Sequence, residues 1–206
     1  MQTEIQIKAP SFKTAVFKVV GTAPLVMNKF AQKAREQMRA RQELGPQAKK
    51  NKVREAKDFD ACLRGALHFS REGWVGFPAA GFRRALITAC KLVGFKMTIA
   101  KLALFVEADG NDADDGTPLV KIRGEYRPIE MAVRNDSGVA DVRIRPLFEK
   151  WEASLKIRFD LDIFSLTDVA NLVMRAGGQV GIGEGRPDSP MSAGMGWGLF
   201  ESKEGK

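Results

Sequence analysis

From Trp151 to Ile163 the chain alternates without a break. Trp151, Ala153, Leu155, Ile157, Phe159, Leu161 and Ile163 stand against Glu152, Ser154, Lys156, Arg158, Asp160 and Asp162. Period two over this length predicts a long strand with one face buried and the other wet. A second strand is predicted over 12–20, rich in β-branched and aromatic residues and closed by Gly21. Phe30, Ala34 and Met38 recur at helical spacing, so a helix is expected from Lys29 to about Leu44, opened by Asn28 and ended by Gly45-Pro46. The polar stretch 47–58 reads as a mobile loop or frayed helix. Phe82, Leu86, Ile87, Cys90 and Val93 predict an amphipathic helix over 79–93, entered through Pro78 and stopped by Gly94, with Arg83 and Arg84 facing away from the apolar stripe. Further strands are expected over 100–108, 119–124, 129–133 and 197–201, and a helix capped by Ser165 over 166–176.

Strands outnumber helices, and one exposed sheet face carries charge. This is an α+β layout with helices on one face of an antiparallel sheet. Its simplest form is a single domain over 1–206 with a ferredoxin-like or RNA-recognition-motif-like core and a large basic insertion.

Composition narrows the class. With 44% hydrophobic residues the chain can build a core, which excludes disorder. No apolar run is long enough to span a bilayer, and the polar start with Glu4 does not resemble a signal peptide. Cys62 and Cys90 fit no zinc spacing and no disulfide framework, so they read as buried reduced thiols in a cytoplasmic protein.

The net charge of +8 is concentrated: residues 28–57 hold ten Lys and Arg against three Glu. A block of that sign on an otherwise balanced chain suits a phosphate backbone. In contrast, Glu107, Asp109, Asp112, Asp114 and Asp115 form an acidic run that lacks calcium-loop spacing and reads as a solvated loop. The third special segment, 177–198, carries eight glycines after a predicted helix. Glycine permits positive φ and close backbone approach to a ligand, and successive N–H groups can cradle phosphate. The run is neither a Walker loop nor a dinucleotide fingerprint.

Gly-Ile-Gly-Glu-Gly-Arg-Pro (181–187), followed by Gly-Met-Gly-Trp-Gly-Leu-Phe (194–200), resembles the C-terminal glycine-rich loop of the RAMP superfamily, the RNA-binding subunits of CRISPR effector complexes. The opening strand followed by Pro24-Leu-Val-Met-Asn-Lys29 is similar to that group as well, and to small phage or prophage proteins with a related core. The resemblance covers the two ends of the chain. It implies a recognition-motif-like core, backbone-directed binding of a single strand, and side-by-side assembly along it.

The expected function is therefore non-catalytic binding of single-stranded RNA or DNA by a homo-oligomer, with no membrane, metal or cofactor. Phosphates would be gripped by Lys29, Lys33, Arg35, Arg39, Lys49, Lys50 and Lys52, and the surface extended by Arg83, Arg84, Arg143, Arg145, Lys156 and Arg158. Gly181, Gly183, Gly185 and Arg186 would approach the backbone. Among the aromatics, Phe30, Trp74, Phe77 and Trp197 lie where bases could stack, whereas Phe105, Trp151 and Phe159 sit on apolar stripes. One alternative is an endoribonuclease of the same fold using His68, the single histidine, which needs an oriented partner that its sequence neighbours do not supply. The other is an assembly protein whose basic arm binds an acidic surface, such as its own 107–115 run.

Overall fold

The computed structural model describes residues 7–29, 36, 38–40, 42–43, 58–134, 140–189 and 193–203. Most of the expected basic helix and nearly all of the 47–58 segment lie outside these residues; the described positions from Glu36 to Glu43 are helical.

Eleven strands are described: β1 Phe12–Gly21, β2 Leu25–Val26, β3 His68–Phe69, β4 Val75–Pro78, β5 Leu104–Glu107, β6 Gly110–Asn111, β7 Pro118–Arg123, β8 Tyr126–Arg134, β9 Ala140–Phe148, β10 Glu152–Asp160 and β11 Phe200–Lys203. The helices with printed bounds are α1 Phe59–Gly65, α2 Ala79–Leu92, α3 Met97–Ala103 and α4 Leu166–Arg175, the last continuing as a π-helical turn over Ala176–Val180. The fold is thus mixed, with a large antiparallel sheet and several helices.

The main sheet runs β11-β1-β10-β7-β4-β3, with β5 also on β10 and β6 on β7. Every pairing is antiparallel, and β1 lies along the whole of β10, from Phe12 opposite Asp160 to Val20 opposite Glu152. The path β1, α2, β5 crosses over β10, and the path β10, α4, β11 crosses over β1. Both crossovers carry their helices on the face where Ala153, Leu155, Ile157 and Phe159 of β10 are buried. Phe82, Leu86 and Cys90 of α2 and Val169 and Val173 of α4 close that core. The alternation in β10 decides this geometry: its even-numbered residues have nowhere to go but the open face. A separate ribbon, β2-β9-β8, stands beside the sheet.

Several sequence expectations shift. The strand expected over 100–108 is the helix α3 followed by the short β5, because Ala100 and Ala103, one helical turn apart, are the residues that bury. The helix ending near 176 runs on to Val180, since Gly177 presses against the Phe200 backbone and Val180 is buried. The final strand begins only at Phe200, leaving Trp197 in a loop. Phe105, expected in the core, lies half-buried on the open face. Cys62 is only half-buried, whereas Cys90 is buried and its thiol is pushed up to about 11. Among the described residues no helix is long and apolar enough to cross a membrane.

A candidate nucleic-acid cleft at the glycine-rich loop

Sequence elements far apart meet in one cleft of about 400 Å³. Its floor and walls come from Asn28 after β2, His68 on β3, the first turns of α2 with Arg84, and the glycine loop from Gly181 to Ser189.

The loop's path is set by glycine at every second position: Gly181, Gly183 and Gly185 have φ of +71°, +79° and +75°. At Gly183 a Cβ would stand 2.6 Å from the Val26 carbonyl oxygen, so the backbone approaches β2 more closely than any side chain allows. Ile182 is buried below, and the Glu184 N–H donates to Val26 at 2.9 Å, tying the loop to the ribbon. In contrast, the N–H groups of Gly183, Gly185 and Arg186 find no partner among the described residues. Arg186 folds back, Nη1 donating to the Gly183 carbonyl at 2.9 Å. Arg145 of β9 reaches in from the ribbon and pairs with Glu184 at 3.0 Å, offsetting the one carboxylate in the loop's centre. Asp188 remains on the rim, 3.5 Å from the Thr88 hydroxyl. Arg84 is exposed and makes no ion pair among the described residues.

Behind His68 lies a buried ionic network. Lys29 Nζ donates to both Asp112 oxygens, at 2.7 and 2.9 Å, and to Asp114 at 2.6 Å. His68 Nδ1 is 2.7 Å from Asp112 Oδ2, and the Asp114 N–H donates to Asp112 Oδ1 at 2.9 Å. Asp112 is 0% exposed, so this one member of the acidic run departs from the expected solvated loop, whereas Glu107, Asp114 and Asp115 are exposed. Burial opposes the Asp112 charge, but Lys29, the Asp114 N–H and His68 outweigh it and hold its pKa below the usual carboxylate value. Lys29 is likewise opposed by burial, and the hydrogen bonds and charges of Asp112 and Asp114 hold its pKa above the lysine norm. For His68 burial wins over the pull of Asp112, and the imidazole is held below its ordinary value. An ionised Asp112 facing Nδ1 fixes the tautomer: Nδ1 carries the proton and Nε2 is left as an acceptor. The cation between the two aspartates is the chain's own lysine, and among the described residues no cluster of three or more His, Cys, Asp or Glu is arranged for a metal.

The expected phosphate-binding residues therefore divide. Arg84, Arg186, Gly181, Gly183 and Gly185 line one cleft, and Arg145 supports it. Lys29 does not present its ammonium to a ligand: its side chain is 3% exposed and consumed by Asp112 and Asp114. Arg83, next to Arg84, turns the other way and donates to the carbonyls of Leu104 and Lys101. Lys156 and Arg158 lie on the open sheet face, Lys156 paired with Asp109 at 3.0 Å and Arg158 over the rings of Phe12 and Phe105, 4.6 Å from each centroid. Arg143, on β9, lies 3.7 Å from Asp141. Arg39 pairs with Glu43 at 2.9 Å on an exposed helical turn. Lys33, Arg35, Lys49, Lys50 and Lys52 lie outside the described residues.

Sequence reasoning missed Asp112 as the partner of His68. The two are 44 residues apart and meet because the chain after β3 bridges to the chain after β6: Ser70 stands opposite Asp112, and the Ala113 N–H donates to the Phe69 carbonyl at 2.9 Å. Compared with known proteins, the chain matches no family model and no curated sequence.

Proposed function

We propose that the protein binds single-stranded nucleic acid, largely without regard to sequence, and assembles side by side along the strand in the cytoplasm. The observation that carries this reading is the convergence of Arg84, Arg186, Gly183 and Gly185 on one cleft, the N–H groups of both glycines having no partner among the described residues. Backbone donors at positive-φ glycines and flanking guanidinium groups suit a phosphate oxygen, and they read the backbone instead of the base. Asn28, which opens the basic segment in the sequence, lines the cleft.

The strand order β11-β1-β10-β5 with helices in both crossovers supports a ferredoxin-like core, in which the segments before α2 and between β5 and β10 are insertions. That topology and the loop after α4 favour kinship with RAMP-type RNA-binding subunits and their phage relatives. Fluorescence anisotropy of labelled single-stranded RNA, single-stranded DNA and duplex at two salt concentrations tests the reading. Single strands bind, duplex binds weakly, and affinity falls steeply with salt. Failure of all three to bind at low salt defeats it.

The second reading, an endoribonuclease using His68, is favoured by the Asp112 contact. An imidazole oriented by a buried carboxylate, on a residue that lines a cleft, is suited to acid–base work. RNA cut by the wild type and spared by His68→Ala favours it; RNA left intact by both removes it.

A further inference from the structure

Beside the cleft, between α2 and α3, lies a second groove of about 520 Å³ that the nucleic-acid reading does not use. One wall is a stripe of α2: Ala80, Arg84, Ile87, Thr88 and Lys91 recur at three- and four-residue steps and so share a face. The other is α3, where Met97 and Lys101 stand one turn apart. Ile87 is buried and Met97 half-buried, whereas Arg84, Lys91 and Lys101 are exposed. Arg84 and Lys91 are two turns apart on α2, about 10 Å along its axis. Arg83 lines the groove as well. It spends its hydrogen bonds on the carbonyls of Leu104 and Lys101, which are neutral, so its charge is not cancelled. None of these four cations has an ion-pair partner among the described residues, and the one carboxylate in the lining, Asp188, also lines the glycine cleft.

The groove differs from the cleft in what it offers. Beyond the first turn of a helix the N–H groups are spent on the helix's own carbonyls, so along α2 only side chains can meet a ligand. Each lysine is followed by an exposed leucine, Leu92 at 51% and Leu102 at 76%, and Ile99 is 38% exposed. Cations interleaved with apolar side chains on two packed helices match a ligand that carries carboxylates and apolar side chains at the same spacing, which is an acidic amphipathic helix. A phosphodiester backbone would use the charges and leave the leucines wet.

We propose that the α2–α3 groove docks an acidic amphipathic helix of a partner protein, its carboxylates on Arg84, Lys91 and Lys101 and its apolar face on Ile87 and Met97. The proposal stands apart from the nucleic-acid reading: Lys91 and Lys101 line this groove and not the cleft, and only Arg84 and Asp188 line both.

The test uses the full chain and two fluorescent synthetic peptides of one composition. In the first, Glu and Leu recur at three- and four-residue steps, so that both fall on one helical face; in the second the order is scrambled and the face is lost. By anisotropy the wild type is expected to bind the first about tenfold more tightly than the second. Lys91→Ala combined with Lys101→Ala should abolish that difference and leave single-strand binding within about twofold of the wild type. Should the double variant fail to fold, acetylation of the wild type decides: the first peptide protects Lys91 and Lys101, read by mass spectrometry, and the scrambled one does not. Equal binding of the two peptides overturns the proposal and leaves the nucleic-acid reading standing, as does a preference that survives in the double variant. A double variant that loses single-strand binding about tenfold assigns the groove to nucleic acid and also overturns it. If no strand binds at low salt while the peptide preference holds, the nucleic-acid reading alone is defeated.

Discussion

Two surfaces of the molecule are rich in arginine and lysine, and they differ in what their cations already hold. On the open sheet face Lys156 is paired with Asp109, Lys203 with Glu152, and Arg158 lies over the edge-to-face rings of Phe12 and Phe105. At the cleft neither the Arg84 guanidinium nor the N–H groups of Gly183 and Gly185 have a partner among the described residues, whereas the Gly181 N–H donates to Ala176. The residue types are the same. What separates the surfaces is local: a strand presents its charges to neighbouring strands at fixed cross-strand distances, so opposite charges and rings find them. In the glycine-rich loop the Arg186 side chain reaches the Gly183 carbonyl, but the N–H groups of Gly183 and Gly185 stay without a partner among the described residues. Residue type alone therefore does not tell a spent cation from an unspent donor.

The largest effect expected on this contrast comes from Asp112→Ala. It leaves the Lys29 ammonium buried without its main partner and His68 without its orienter, and it should cost about 3–5 kcal/mol in a urea titration. The same network gives stability a pH signature. Asp112 has a depressed pKa, so its contribution is present above the unfolded carboxylate value and is lost as pH falls through the folded one. His68, also depressed, binds a proton more readily when unfolded, so stability already declines as pH drops below the free imidazole value. Lys29, raised, keeps its contribution until pH climbs through its folded pKa. Urea midpoints measured from neutral to mildly acidic pH should fall in the wild type and stay flatter in His68→Phe.

Next in size is Gly183→Ala, which forces a side chain to φ of +79° and against the Val26 carbonyl. A loss of about 2 kcal/mol in thermal or urea unfolding is expected, with the loop displaced from β2. Gly116→Ala is the comparison: its φ is +73° in open space, so its penalty is the backbone strain alone. Arg84→Ala should leave stability unchanged and weaken single-strand binding about tenfold, lowering the salt slope by about one. Smallest are Lys156→Ala and Arg158→Ala on the open face: stability within about 1 kcal/mol and binding within roughly twofold, since neither would grip a phosphate. A larger binding loss there than at Arg84 would reverse the comparison.

The alternation from Trp151 onward made β10 legible, and with it the buried face of the sheet, because a strand's side-chain period is set by the backbone alone. Ser165 as an N-cap announced α4 in the same local way, and the structure adds Asp168, which closes a capping box with it. Helix α3 was not legible: Ala100 to Ala103 has no distinguishing local pattern, and only packing beneath β5 decides it. The glycine loop's tight turns could be read from residue type, since Gly181, Gly183 and Gly185 all take positive φ. The exhaustion of Lys29 and the Lys29–Asp112–His68 contact could not, since they depend on the Ser70–Asp112 bridge between segments that no short stretch of sequence brings together.

The most direct test of the cleft is photo-crosslinking of a thiouridine-labelled single strand to the full chain, with the attached peptides mapped by mass spectrometry. Binding at the cleft predicts adducts on the segments carrying Arg84 and Gly181–Ser189, lost when unlabelled strand competes. Adducts confined to β1 and β10 of the open face, with none on the glycine loop, would contradict it.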